Sequence, residues 1–381
     1  MSSTNRKSIF IFLGSLTGGG AERVASTLSK YLSHHRGYKV TLVTLGSKKR
    51  DFYKLDASVN RIAMDLDGET AGLNKFTHNI QRVINFRKLL TEEQPDLVIA
   101  FMTRYAIIAL IASLFKDVKI IVSERNYPPK RVNHGMWEIL RKYIYKYADL
   151  HVVQTELIAE WIKDATNSES VTIIPNSITW PITEHEPVIS PDDILNRDYS
   201  VILAAGTIKH QKGFDLLLKG AGEVLKEKPD WKLVIIGDEK NEKKELTKEL
   251  SLYVQKSGLS NQVIFAGRAG NIGAWYERAK IFVLSSRYEG FPNVLLEGMA
   301  SGCACISFDC KTGPAEMITH YENGILVPAG DTDELSKELR ILTENDELRK
   351  SLGENAINVR QRFSEESIMD KWQNTIEKIL N

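Results

Sequence analysis

The sequence predicts an α/β protein made of two doubly wound parallel sheets. Three observations carry that expectation. Short continuous apolar runs alternate with helical patterns, the alternation breaks once near the middle, and 381 residues are too many for one ordinary domain. In such sheets ligands bind outside the carboxyl ends of the strands, so the loops that follow strands are the places to look for chemistry.

In the first half, residues 8–13, 40–45, 96–101, 119–123, 150–154 and 171–174 read as strands. They are uninterrupted apolar runs, as strands covered on both faces should be. Residues 21–34, 76–93, 136–147 and 156–165 carry the 3.6-residue period of helices between them, and the apolar run 106–115 reads as a buried helix, about half the length of a membrane span. The rhythm then stops. After Pro175-Asn-Ser, residues 179–196 hold Pro181, Pro187 and Pro191 and no periodicity, which marks a linker. A second series follows, with strands at 201–205, 232–236, 263–266, 281–285, 304–308 and 325–327 and helices at 214–227, 242–257, 272–279, 294–300 and 333–344. The expected division is 1–180, a linker at 181–198, and 199–363, with a closing amphipathic helix in 364–381 that carries Trp372 and packs back on the first half. Two Rossmann-like halves would face each other across a central cleft.

At 43% hydrophobic and 26% charged, the composition is that of a soluble globular protein, and with a polar start and only a short apolar run at 9–13 no signal peptide is expected. The net charge is +1, but residues 1–185 carry 25 Lys and Arg against 18 Asp and Glu, and the remainder 25 against 31. A basic first half suits an acidic partner such as anionic lipid, a lipid-linked phosphate or nucleic acid, or is a scatter of surface charge. Cys303, Cys305 and Cys310 do not have zinc spacing and read as small hydrophobes in a buried strand, so no metal is expected and the home is expected to be reducing and cytoplasmic.

Five segments could carry chemistry. Glu289-Gly-Phe-Pro-Asn-Val-Leu-Leu-Glu297 follows the strand at 281–285 and places two carboxylates eight positions apart. Pro292 would open a helix, so the amides of Asn293, Val294 and Leu295 would offer an anion site between the carboxylates. That layout suits a ligand with hydroxyls at both ends and phosphate in the middle, as in a nucleotide-sugar. Gly206-Thr-Ile-Lys-His-Gln-Lys-Gly213 follows the first strand of the second half, and Lys212 beside Gly213 could reach a diphosphate, with Lys209 and His210 in the same loop. Gly18-Gly-Gly-Ala-Glu-Arg23 links the first strand to a helix, where glycine lets backbone approach a phosphate. Ser123-Glu-Arg-Asn126 puts charged groups at another strand end. The stretch from Arg125 to Tyr147 mixes Arg125, Lys130, Arg131, Arg141, Lys142 and Lys146 with Tyr127, Trp137, Tyr143, Tyr145 and Tyr147. Such a mixture suits a membrane surface, an RNA, or a solvated face over an aromatic core.

On Gly18-Gly-Gly-Ala-Glu, Gly206…Lys212-Gly213, Ile264-Phe-Ala-Gly-Arg268 and Glu289…Glu297, the chain resembles the retaining GT-B glycosyltransferases of family 4, in their bacterial polysaccharide and lipid-linked oligosaccharide branch. The resemblance covers essentially the whole chain. It implies transfer of a hexose or N-acetylhexosamine from a nucleotide-diphosphate sugar, UDP-linked by preference and GDP-linked as the other choice, to a saccharide acceptor on lipid at the inner face of the cytoplasmic membrane. By resemblance, Glu297 would bind the ribose and Glu289 the transferred sugar. Lys212 and the amides of Asn293, Val294 and Leu295 would hold the diphosphate, Gly267 and Arg268 would border the base, and Gly20 would approach the phosphate. The resemblance implies no metal and no nucleic-acid partner. Two positions depart from the family: Thr207 stands where Arg is usual, and Arg125 where many members have a His after Ser123-Glu124. Arg125 is therefore a candidate catalytic position. A nucleotide-sugar epimerase on the same fold and a non-catalytic partner subunit are the alternative readings.

Overall fold

The computed structural model describes residues 6–35, 37–68, 73–130, 135–239 and 243–381, with the side chains of residues 35, 73–76 and 130 outside that description. The chain divides into two compact units, Met1–Ser177 with Glu366–Asn381, and Ile178–Glu365.

The first unit is a seven-stranded sheet in the order β3-β2-β1-β4-β5-β6-β7, with every pair parallel. Its strands are β1 (Ser8–Leu13), β2 (Lys39–Thr44), β3 (Asn60–Ala63), β4 (Leu97–Phe101), β5 (Lys119–Ser123), β6 (Leu150–Val153) and β7 (Val171–Ile173). All six residues of β1 are buried, which is why Ile9–Leu13 runs apolar without alternating. β3 was not anticipated: Asn60-Arg61-Ile62-Ala63 lies at the sheet edge, half-exposed, and has no apolar run to announce it. The helices are α1 (Gly20–His35), α2 (Leu73–Glu93), α3 (Thr103–Ser113), α4 (Met136–Ile144) and α5 (Glu156–Thr166). α5 starts on a Thr155 side chain that accepts from the Ile158 amide and ends on Asn167 in the left-handed conformation.

The second unit is a six-stranded parallel sheet ordered β10-β9-β8-β11-β12-β13. The strands are β8 (Ser200–Ala205), β9 (Trp231–Ile236), β10 (Val263–Gly267), β11 (Ile281–Leu284), β12 (Ala304–Asp309) and β13 (Ile325–Pro328). The helices are α6 (Pro191–Ile194), α7 (Phe214–Glu227), α8 (Glu245–Lys256), α9 (Ile272–Arg278), α10 (Asn293–Ala300), α11 (Thr332–Glu344), α12 (Asp346–Ala356) and α13 (Val359–Arg362). The expected start of α8, Glu242, lies outside the described residues. α12 and α13 were not anticipated, because their exposed faces dilute the apolar period.

Residues 181–198, expected as a linker, lie in the second unit. The His185 amide donates to the Gly270 carbonyl at 3.1 Å, Gly270 donates to Pro187 at 2.7 Å, and the Asn271 side chain both donates to and accepts from the backbone of Ile189. The backbone groups of an aperiodic, proline-rich segment are satisfied here by side chain and loop instead of by a ladder. The last helix, α14 (Glu365–Leu380), returns to the first unit, where Trp372 is fully buried against Phe101.

Candidate active site

In the second unit β8 and β11 are neighbours where the strand order turns back, the position at which doubly wound sheets bind ligands. The loops leaving the carboxyl ends of these two strands are therefore brought side by side. One is the loop Gly206–Gly213, and the other runs through Glu289 to α10. Gly213 seals them together. Its φ is +62°, and a Cβ there would collide with the Ser285 carbonyl oxygen.

The side chains meet as the backbone dictates. Lys212, in a short 3-10 turn His210–Lys212, places Nζ 2.6 Å from Glu289 Oε1, with the two side chains only 13% and 9% exposed. Ser286 Oγ donates to the same oxygen at 2.6 Å, and Thr312 Oγ1 donates to the Glu289 carbonyl. The turn is braced from outside. Gln211 donates to the Tyr288 carbonyl at 2.8 Å, and Arg287 forks onto both oxygens of Asp215 at 2.8 and 2.6 Å. The Arg287 hydrogen bonds hold the Asp215 carboxyl below its ordinary range, against the opposing effect of burial. Nearby, burial and the Glu289 charge push the Cys310 thiol up to about 12, so it is a packing group and not a nucleophile.

α10 begins at Asn293, one residue before the expected 294, and Pro292 is its cap instead of its first helical residue. The Leu295 amide donates to the Pro292 carbonyl at 3.0 Å, so that amide is already engaged within the first turn. Glu297 lies one turn inside and is buried. The Tyr276 hydroxyl sits 3.4 Å from Glu297 Oε2 and donates to the Val294 carbonyl at 2.9 Å. Burial, reinforced by the Glu297 charge, raises the Tyr276 pKa well above its ordinary value, so the phenol stays protonated and remains a donor.

Thr207 is half-buried in the loop after β8, and the Ile208 amide beside it donates to the Asp238 carbonyl at 3.0 Å. Gly267 ends β10 at a register shift with φ +75°, and its carbonyl accepts from Gly237 at 2.8 Å. Arg268 is exposed and lies near enough to Asp238 to lower its carboxyl, although the larger cause there is the Lys244 hydrogen bond.

The first unit treats its candidate residues differently. Gly20 is the first residue of α1. The Gly18 and Gly19 amides donate to Glu22 Oε2 at 2.6 and 2.8 Å, and Ser15 Oγ donates to Glu22 Oε1 at 3.0 Å. The anion at this helix start is thus supplied by the chain itself. Arg125 is turned inward. Its Nε donates to Ser123 Oγ at 2.8 Å, and Nη1 donates to the Ile174 carbonyl at 3.2 Å and to Asn176 Oδ1 at 3.1 Å. The guanidinium lies 5.3 Å from the Trp372 ring and 5.6 Å from Phe101, and burial lowers its pKa to about 9. Glu124 is buried and accepts from Thr103 and Tyr145, each at 2.9 Å.

Among the described residues no group of three or more His, Cys, Asp or Glu is placed to hold a metal ion, and no helix is long and apolar enough to cross a membrane. Cys303, Cys305 and Cys310 are free and buried.

Two family models match the chain: the glycosyltransferase family 4 model over residues 18–179 and the model for glycosyl transferases group 1 over 188–359. The chain belongs to the glycosyltransferases. Its relatives include the amylovoran biosynthesis glycosyltransferase AmsD of Erwinia amylovora, 29% identical over 97% of this chain and 99% of that protein. Another is a Campylobacter jejuni α-1,4-N-acetyl-D-galactosaminyltransferase whose name specifies a diphospho-undecaprenol-linked saccharide, 26% identical over 98% of this chain and 99% of that one. Among solved structures, the transferase is similar to the sucrose-phosphate synthase of Thermosynechococcus elongatus, with TM-score 0.83 at 17% identity over 98% of this chain and 99% of the other. It is also similar to Anabaena HepE in complex with UDP and glucose, with TM-score 0.78 at 18% identity over 98% and 100%. These likenesses establish the fold, which is GT-B. Sequence reasoning missed the residues that hold the two glutamates. Ser286, three positions before Glu289, was visible in principle; Tyr276, on a different helix from Glu297, left no local signal.

Proposed function

We propose that the transferase moves a hexose or N-acetylhexosamine from a UDP-sugar to a lipid-linked saccharide, with retention at the anomeric carbon, in bacterial surface glycan assembly. The observation that carries the proposal is the buried Lys212–Glu289 pair between two adjacent carboxyl-end loops, with the buried carboxylate of Glu297 one turn inside the helix that follows. In this reading Glu297, held by Tyr276, takes the ribose hydroxyls, and Glu289 takes hydroxyls of the transferred sugar beside the reacting carbon. Lys212 and the start of α10 at Asn293 and Val294 hold the diphosphate. Leu295 supports them by closing the first turn on Pro292. Thr207 lines the same loop, and Gly267 and Arg268 border the base. HepE, with the same fold and UDP and glucose bound, supports a UDP-sugar, and the undecaprenol-linked saccharide in the Campylobacter relative's name supports the acceptor.

The chemistry follows from charge. The bond between C1 and the diphosphate oxygen breaks through an oxocarbenium-like state. Lys212 and the helix start stabilise the charge that gathers on the leaving diphosphate. The acceptor oxygen bonds to C1 from the same face, and its proton passes to the leaving diphosphate. Arg125 has a positioning role: it ties the end of β5 to Ile174 and Asn176 under Trp372. Gly20 meets a phosphate only if Glu22 gives up the neighbouring amides.

The test is thermal stabilisation by UDP, GDP and ADP, with and without Mg²⁺, in the wild type and in Glu297→Ala. Stabilisation by UDP that is indifferent to Mg²⁺ and weakened in the variant is expected. No shift with any nucleotide would overturn the reading.

A further inference from the structure

Most large apolar side chains of the first unit are buried, but one helix turns a row of them outward. On α4 and the turn that follows it, Met136 is 37% exposed, Ile139 60%, Tyr143 58% and Tyr147 56%. Spacings of three, four and four residues place them on one side of the element, while Trp137, Arg141 and Tyr145 face inward. A stripe of this kind left in water is unfavourable unless something covers it.

The charges around the stripe say what covers it. Lys142 and Lys146 are exposed beside it, and Lys146 lies over the Tyr147 ring at 5.2 Å. The segment's one carboxylate, Glu138, is paired with Arg141, which is itself packed at 4.5 Å over Trp161. What remains is an apolar and aromatic face flanked by Lys142 and Lys146, neither of which pairs with a carboxylate among the described residues. Lys130 and Arg131, which extend the basic run in sequence, lie outside the described side chains.

We infer that the face of Met136, Ile139, Tyr143 and Tyr147 docks on an anionic bilayer, with Ile139 and Tyr143 entering the interface and Lys142 and Lys146 meeting lipid phosphates. Aliphatic and tyrosine side chains between lysines match the two layers of a bilayer interface: hydrocarbon below, negative headgroups above. The inference rests on the proposed lipid-linked acceptor for its biological sense, but its geometry is independent of the donor site, which lies in the other unit.

The test is flotation of the full chain with vesicles of phosphatidylcholine alone and with about one-third phosphatidylglycerol, at low and high salt. Wild type is expected to float with the anionic vesicles at low salt and to be released at high salt. The charge reversal Lys142→Glu/Lys146→Glu should reduce the floated fraction at least about fivefold, given the roughly 1 kcal/mol that each basic residue near an anionic surface contributes; Ile139→Asp should also reduce it, because it puts a charge where an apolar side chain enters the interface. UDP stabilisation in both variants should equal wild type, which shows that they fold. Equal flotation with neutral and anionic vesicles, no flotation with either, or retention by both variants would overturn the proposal. So would self-association of the wild type in lipid-free buffer that Ile139→Asp abolishes, because the face would then be an interface between copies. If UDP fails to stabilise while flotation behaves as expected, the donor reading falls and this one stands.

Discussion

Replacing Lys212 by Met separates the two roles that its geometry combines. Its ammonium lies 2.6 Å from Glu289, and both side chains are well under one-third exposed. At an effective dielectric constant near 20 the attraction is about 6 kcal/mol. Desolvating the two ions offsets most of that, so the pair contributes little net stability. Removing only the lysine leaves a buried carboxylate with Ser286 as its hydroxyl donor, which costs about 3–5 kcal/mol. Lys212→Met/Glu289→Gln leaves no buried charge, so most of that loss should return. Turnover should behave otherwise. In the proposed function Lys212 faces the leaving diphosphate; that charge is absent in both variants, so each should lose at least about 10²-fold in kcat. The assay is a double-mutant cycle read twice, by urea unfolding followed through the buried Trp231 and Trp275 and by sugar transfer. A double variant no more stable than Lys212→Met would refute the buried-pair argument. Turnover in Lys212→Met within about twofold of wild type would refute the role in charge stabilisation.

Gly213→Ala should cost about 2–4 kcal/mol, from left-handed backbone strain plus overlap with the Ser285 carbonyl, and should weaken UDP binding by parting the two loops; urea midpoints and UDP thermal shifts check both. His151 is fully buried, its Nε2–H donating to the Tyr145 carbonyl at 3.1 Å, and burial lowers its pKa to about 4. Since the unfolded chain takes up that proton near pH 6.5 and the folded one near 4, stability is full above about 6.5 and falls as the pH drops through that window, by about 2 kcal/mol at pH 5. His151→Gln should remove that part of the pH dependence; an unchanged slope of unfolding free energy between pH 7 and 5 would contradict the assignment.

The strands and most helices were legible in the sequence because their signal is local. β1 and β5 appear at their predicted bounds, since strands covered on both faces carry an unbroken apolar run, Ile9–Leu13 in one and Ile120–Val122 in the other. β3 was not legible, because an edge strand that opens on Asn60 and Arg61 carries no such run. The candidate loops were legible for a similar reason: glycines and charged residues directly after a strand are punctuation that any reading of the chain encounters.

Partnership was decided only by the tertiary structure. Nothing in the spacing of 77 residues between Lys212 and Glu289 says that they touch. That follows from β8 lying beside β11, a pairing between segments about 80 residues apart that no local period encodes. The same holds for donors and acceptors already in use. The sequence shows amides at Gly18 and Gly19 and a guanidinium at Arg125, and only packing shows Glu22 on the first and Ser123, Ile174 and Asn176 around the second. Composition and order determined which groups this transferase has. The sheet determined which of them meet, because hydrogen bonds and ion pairs depend on distances of about 3 Å that chain spacing cannot set.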